Sequence, residues 1–291
     1  MSRPIVLNTV AEVDAWAAKD SAPIAAVLTM GALHQGHAEL VRYAKANTPN
    51  GTRVIATIFV NPTQFNNSSD LAEYPRTLDS DLDTLQSAGA DAVFVPDVSQ
   101  MYPNGLEVNP SMEPGAIGDV LEGKARPGHF RGMLTVVERL LSITHAHYSF
   151  FGEKDFQQLT LVKAMVAATK MPIEIIGVPT VRDEYGLALS SRNRRLSEQA
   201  IEHARLIPAA MKKASEEFLN SGSVEEAEAA GIAILEKSGK FEVEYFEIRS
   251  NDLVSSPVLN NARVFVAVNI EDVRLIDNLE IAKKEKHAVS N

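Results

Sequence analysis

Two imidazoles three residues apart, His34 and His37, sit in the stretch Thr29-Met30-Gly31-Ala32-Leu33-His34-Gln35-Gly36-His37. An apolar run precedes them and a helix-like segment follows. A helix N-terminus offers unpaired N–H groups and a partial positive charge, and so suits a phosphate. Imidazoles placed there can donate hydrogen bonds to a phosphoryl group as charge builds on it. The zincin pattern, two His at i and i+4 around a Glu, is absent. A second segment, Phe59 to Asn67 (FVNPTQFNN), clusters neutral amides, among them Asn61 and Gln64. Such groups read hydroxyls and carboxylates without adding charge, although Asn-Pro also favours a plain turn.

Three basic islands complete the inventory. Lys124–Arg131 (KARPGHFR) holds Lys124, Arg126 and Arg131 with His129 and no acid. Phe151-Gly152-Glu153-Lys154-Asp155-Phe156-Gln157-Gln158 places Lys154 as a phosphate-binding point charge. Gly186–Ser197 (GLALSSRNRRLS) brings Ser190, Ser191 and Arg192 together for gripping a polyphosphate. Any one island is ordinarily a solvated surface. Two of these three fall where strands are expected to end.

The elements that must position these residues are legible in the hydrophobic pattern. Ile24–Thr29, Arg53–Val60, Ala90–Pro96, Tyr148–Phe151 and Ile173–Pro179 are near-continuous apolar runs, as parallel strands covered on both faces tend to be. Helix-like stretches lie between them: Ala38–Ala46, Asp79–Ala88 with Asp79 as N-cap and Gly89 as stop, Gly132–His145 and Phe156–Lys170. This alternation predicts a doubly wound, Rossmann-like α/β domain over residues 1–185. Ligands of such sheets bind beyond the carboxyl ends of the strands.

After residue 186 the pattern changes to two helices, Ser197–Leu219 and Val224–Lys237. Strands at Phe241–Arg249, Arg263–Ile270 and Val273–Ile276 follow. We expect here a smaller α+β domain over 186–291, with a frayed tail at Lys283–Asn291.

Composition narrows the function further. The 291 residues carry 28 Lys and Arg against 38 Asp and Glu, a net charge of −10, and no cysteine. An acidic surface repels nucleic-acid phosphates but does not prevent a few local cations from holding a small anion. Without cysteine there is no disulfide, zinc-thiolate site, iron–sulfur cluster or thiol nucleophile. No apolar run is long enough to span a bilayer, and the N-terminus is a poor signal peptide. A cytoplasmic protein is expected.

Taken in order, TMGALHQGH, FVNPTQF, YPRTLDSD, EGKARPGHFRG, FGEKDFQQL and VPTVRDEYGLALSSRN resemble the pantothenate synthetase (pantoate–β-alanine ligase) family over nearly the whole chain. HxGH by itself would indicate only the wider nucleotidyltransferase superfamily. The resemblance implies ATP-dependent condensation of pantoate with β-alanine through a pantoyl adenylate. It also implies ATP as co-substrate, Mg²⁺ and a homodimer, with the C-terminal domain closing over the active site.

Carried onto this chain, the resemblance puts Met30, Gly31, His34, Gly36 and His37 on ATP, with the two imidazoles at the phosphates. Gly152, Lys154 and Asp155 would bind nucleotide, Val181 would meet adenine, and Leu189, Ser190, Ser191 and Arg192 would close over the phosphates. Catalysis falls to His37, His34, Lys154 and Arg192. Gln64 and Gln158 would hold pantoate, with Asn61 beside them and Arg126 and His129 near the substrate end. Asp81 would belong to the Mg²⁺ environment, through water. Two residues depart from the family pattern: Leu28 stands where Pro is usual, and Ser80 where many relatives carry an acid. The alternatives are another HxGH-type nucleotidyltransferase, which would not need both glutamine segments, and a non-catalytic nucleotide-binding relative, which would be expected to lose His34, His37, Lys154 or Arg192.

Overall fold

The computed structural model describes residues 2–65, 71–72 and 74–282. Asn66 and Asn67 of the amide segment, and the tail from Lys283, lie outside the described residues. The chain divides into two compact units, Met1–Val181 with Leu189–Ser191, and Arg182–Ala188 with Arg192–Asn291.

In the first unit β1 (Ile5–Leu7), β2 (Ile24–Thr29), β3 (Arg53–Ile58), β4 (Ala92–Phe94), β5 (Tyr148–Gly152) and β6 (Glu174–Val178) form a parallel sheet in the order β1-β4-β3-β2-β5-β6. Strand succession runs outward from β2 in one direction through β3 and β4, and in the other through β5 and β6. The topological switch point therefore lies between β2 and β5, and beyond the carboxyl ends of the strands at such a point is where open α/β sheets bind their ligands.

Helices α1 (Val10–Ala17), α2 (Gln35–Ala46), α3 (Leu78–Ala88), α4 (His129–Ile143) and α5 (Phe156–Thr169) cover the sheet. Val41, Ala44, Leu82 and Leu85, from α2 and α3, pack with Val54, Ala56 and Phe150 in one buried cluster. Leu134, Val137 and Leu141 of α4 pack with Leu161 and Met165 of α5 and with Ile55 and Phe94 in another. Each buried Val, Leu, Ile, Phe or Met side chain among these contributes about 1.5–3 kcal/mol, so both layers hold the strand ends firmly.

Several boundaries depart from the sequence expectation for local reasons. Strand β1 and helix α1 were not expected. Their signal is a capping box, in which Thr9 Oγ1 accepts from Glu12 N and Glu12 Oε2 accepts from Thr9 N. Asp79 is not the N-cap of α3; Thr77 holds that position and Asp79 lies in the first turn, where its charge suits the helix dipole. Gly89 ends α3 in the left-handed conformation (φ 91°), as expected. Helix α4 starts at His129 rather than Gly132, because Gly128 (φ 82°) turns the chain into it earlier.

The second unit contains α6 (Glu198–Ala204), α7 (Leu206–Ser221) and α8 (Val224–Lys237). With them β7 (Glu242–Arg249), β8 (Arg263–Ile270) and β9 (Val273–Glu280) form an antiparallel sheet in that order. One long helix was expected from Ser197. It divides at Arg205 because Pro208 has no N–H to give the Ala204 carbonyl and its ring would strike that oxygen. Among the described residues no helix is long and apolar enough to cross a membrane.

Candidate active site

Strand β2 ends at Thr29, and the next residues turn sharply. Gly31 (φ 84°) and Ala32 (φ 52°) are both left-handed; for the alanine this costs about 1–2 kcal/mol. His34 then caps α2. Its Nδ1 accepts from Gly36 N at 3.1 Å, while His37 Nδ1 accepts from His34 N at 3.3 Å. The ring centroids lie 4.2 Å apart. This reciprocal cap fixes the tautomers. With both Nδ1 atoms serving as acceptors, each neutral ring carries its hydrogen on Nε2. The loop therefore presents two imidazole donors. Gly36 is required by the same arrangement, since a Cβ there would fall 2.8 Å from His34 Cε1.

After β3 the chain forms a short helical turn, Pro62–Gln64, capped by Asn61. Asn61 is 1 % exposed and internally satisfied. Its Oδ1 accepts from Tyr102 Oη (2.7 Å) and Thr63 Oγ1 (3.0 Å), and its Nδ2 donates to Gln64 Oε1 (3.1 Å) and the Gly132 carbonyl (3.3 Å). Asn61 is thus a scaffold that aims Gln64, whose Nε2 also reaches Met30 Sδ at 3.2 Å. Burial raises the pKa of the Tyr102 hydroxyl, keeping it a donor. The amide segment after β3 is thereby tied to the loop after β2.

The basic stretch 124–131 supports the same turn from beneath. His129 Nδ1 donates to the Gln64 carbonyl at 3.0 Å, and Arg126 Nη2 donates to the same oxygen at 3.3 Å. Burial, and then the neighbouring Arg126 charge, push the His129 imidazole from 6.5 down to about 4. A neutral ring with Nδ1–H results, and its Nε2 faces Arg126 Nη1 at 3.4 Å. The folded state binds this proton more weakly than the unfolded chain does. His129 therefore contributes stability that is present above pH 6.5 and lost as pH falls toward 4. Wild type should lose about 2 kcal/mol between pH 7 and pH 5 that His129→Asn does not lose; urea unfolding of both proteins at the two pH values measures this.

Strand β5 ends at Gly152, and α5 follows the turn Glu153–Asp155. The Lys154 side chain is 19 % exposed and its Nζ lies 3.8 Å from Asp155 Oδ1, whose side chain is 51 % exposed. The adjacent glutamines divide. Gln157 is buried, its Nε2 donating to the Ile117 and Val120 carbonyls and its Oε1 accepting from Glu122 N. The side chain of Gln158, one residue on, is only half-buried. At Gly152 (φ −69°) a Cβ would meet nothing within 4 Å. The protein itself does not demand glycine there, whereas close approach of a ligand would. Gly152→Ala should leave the melting temperature unchanged, read by thermal unfolding.

Beyond β6, Leu189 N donates to the Val181 carbonyl at 3.0 Å, which holds Leu189–Ser191 at the carboxyl end of that strand. Arg192 belongs to the second unit, in the short helix Ser191–Arg195. The first unit thus gathers His34, His37, Met30, Asn61, Gln64, Arg126, His129, Gly152, Lys154 and Gln158 around the carboxyl ends of β2, β3 and β5.

A family model described as pantoate-beta-alanine ligase matches residues 5–280. The chain belongs to that family. It is 47 % identical to pantothenate synthetase of Mycolicibacterium smegmatis over 258 residues, covering 89 % of this chain and 80 % of the relative. It is 44 % identical to that of Cereibacter sphaeroides over 284 residues, covering 96 % of this chain and all of the relative. The crystal structure of pantothenate synthetase from Thermus thermophilus superposes with a TM-score of 0.88 at 41 % identity, over 96 % of this chain and 100 % of that one. A ligase from Francisella tularensis, complexed with beta-gamma ATP and beta-alanine, gives 0.77 at 36 % identity, over 95 % and 97 % of the two chains.

The magnesium environment expected at Asp81 does not fit the geometry. Asp81 is 1 % exposed. Its Oδ2 accepts from Ala32 N (3.0 Å), and its Oδ1 accepts from Leu33 N (2.8 Å) and Thr77 Oγ1 (3.1 Å). Three of a carboxylate's roughly four acceptor positions are occupied. Among the described residues no group of three His, Cys, Asp or Glu could hold a metal ion.

The sequence reading also missed Tyr102, Thr63, Gly132 and Gln157. Only Gly132 had a local signal, a glycine at the head of an apolar helical pattern.

Proposed function

We propose that this chain condenses pantoate with β-alanine in two ATP-dependent steps. A pantoate carboxylate oxygen bonds to the α-phosphorus, the phosphorus–bridging oxygen bond breaks, and pyrophosphate leaves with that electron pair. The β-alanine nitrogen then bonds to the acyl carbon of pantoyl adenylate, the acyl–oxygen bond breaks, and AMP leaves as the nitrogen loses a proton. The observation that carries this reading is the convergence at the switch point: two imidazole Nε2 donors, a supported amide turn, and the Gly152–Lys154 turn on adjacent strand ends. The Francisella relative holds β-alanine and an ATP-type ligand on the same fold.

Roles follow from chemistry. His34 and His37 donate to phosphoryl oxygens as charge accumulates. Lys154 adds a fixed charge, with Met30, Gly31, Gly36, Gly152, Asp155, Val181 and Leu189–Ser191 completing the nucleotide side and Arg192 adding a further cation for phosphate. Gln64 and Gln158 orient pantoate through neutral amides, which leaves its carboxylate nucleophilic; Asn61, Arg126 and His129 hold Gln64 in place. Positioning and charge stabilisation supply the rate, with no covalent enzyme intermediate.

Magnesium would arrive on phosphate oxygens and water, since among the described residues no cluster of carboxylates and imidazoles could hold it. We read the enzyme further as a cytoplasmic homodimer; sedimentation checks the dimer, and a fluorescent fusion the location. The chemical test is label transfer. Pantoate with a heavy-oxygen carboxylate should deliver one labelled oxygen to AMP, and unlabelled AMP would remove the adenylate from the mechanism.

A further inference from the structure

Helix α3 is hydrogen-bonded to the loop that leads to His34 through a residue that the proposed reaction does not use. Asp81 lies on the buried side of α3, beneath the turn that carries the chain from β2 into α2. Both of its oxygens receive backbone N–H groups, from Ala32 and Leu33, the two residues directly before the cap His34. Consecutive N–H groups converging on one anion are how backbone concavities hold phosphates and other anions; here the anion is internal. The convergence accompanies the two left-handed residues, Gly31 and Ala32. A Cβ at Gly31 would lie 3.2 Å from Asp81 Oδ2, so the turn and the carboxylate fit closely. Thr77, at the N-cap of α3, donates its hydroxyl to Asp81 Oδ1 and fixes the carboxylate from the other side.

We infer that Asp81 is a positioning residue for the phosphate loop: its carboxylate clamps residues 31–33 in their left-handed turn and so aims the imidazoles of His34 and His37. This rests on reading Met30–His37 as the triphosphate loop. It also replaces the metal assignment with one made from geometry, because a buried carboxylate already engaged by two backbone N–H groups and a hydroxyl has little left to offer a cation.

Asp81→Asn is the discriminating substitution. The carboxamide keeps one acceptor oxygen but turns an NH₂ donor toward the other backbone N–H, so half the clamp becomes repulsive. Backbone deuterium uptake of the segment 30–37 should accelerate at least about tenfold. In adenylate formation kcat/KM for ATP should fall about 10²-fold, with the KM for pantoate and the magnesium concentration for half-maximal rate unchanged. Unaltered deuterium uptake, or activity restored by raising magnesium, would overturn the clamp in favour of a metal role.

Two measurements survive a variant that folds poorly. Thr77→Val keeps the carboxylate but removes its hydroxyl donor, and should produce the same changes at about a tenth of the size; no change at all would contradict the inference. Mn²⁺ added to ligand-free wild type should leave the Ala32 and Leu33 amide resonances sharp, whereas selective broadening would place a cation at Asp81. Neither the exchange nor the Mn²⁺ measurement depends on turnover, so the clamp can fail while the proposed reaction stands, and the reverse.

Discussion

His37→Ala lowers the rate of adenylate formation by about 10²-fold or more, the scale of removing one preorganised electrostatic donor. Two losses combine. The Nε2–H donor to the phosphoryl group disappears, and the Nδ1 acceptor for His34 N, 3.3 Å away, disappears with it. The second loss frees one side of the reciprocal cap that orders the His34 ring. Helix stability should fall only by the amount typical of a lost cap, about 1 kcal/mol, so the folded protein remains measurable. Single-turnover formation of pantoyl adenylate, followed with chemical quench at saturating ATP and pantoate, isolates the effect. His37→Asn offers a carbonyl to the backbone without an imidazole donor; it should recover stability and not rate. Near-wild-type rates in either variant would remove His37 from the chemistry.

Gly132→Ala acts on the other substrate through a contact of backbone with backbone. A Cβ at this position in α4 would sit 2.4 Å from the Thr63 carbonyl oxygen and 2.8 Å from its carbon. Neither atom is the end of a flexible side chain, so α4 and the Pro62–Gln64 turn must move apart. The bond from Asn61 Nδ2 to the Gly132 carbonyl, already 3.3 Å, would be lost in that movement, and Gln64 would shift with the turn. Overpacking of this kind costs about 1–3 kcal/mol, and a displacement near 1 Å at a substrate-positioning group can cost about 10²-fold in rate. We expect kcat/KM for pantoate to fall by about that factor, with ATP affinity little changed. Steady-state kinetics varying each substrate in turn, with a melting curve, separates this from general unfolding.

Much of the scaffold was legible because the central strands β2, β3, β4 and β8 are buried almost throughout and read as nearly unbroken apolar runs. Ile24–Thr29 and Arg263–Ile270 coincide with β2 and β8, and Val224–Lys237 with α8. The first strand and helix were missed because β1 is only three residues long, with Ile5 and Val6 exposed at a sheet edge. The division at Arg205 was missed because a strong helical period on both sides masked Pro208. At the candidate site, strand ends marked the loops after β2, β3 and β5, but not the residues packed behind them. The roles of Asp81, Asn61 and Gln157 depend on partners 35 to 71 positions away, and no local pattern announces such pairs. An acid near a phosphate site and an amide near a substrate site look alike in sequence whether they touch ligand or hold the loop that does.

Pyrophosphate exchange tests most directly whether this site makes an acyl adenylate. Purified protein is incubated with ATP, magnesium and labelled pyrophosphate, with and without pantoate, and with no β-alanine. Reversible adenylate formation predicts label entering ATP only when pantoate is present. Absence of pantoate-dependent exchange, from protein that still binds ATP, would contradict the account.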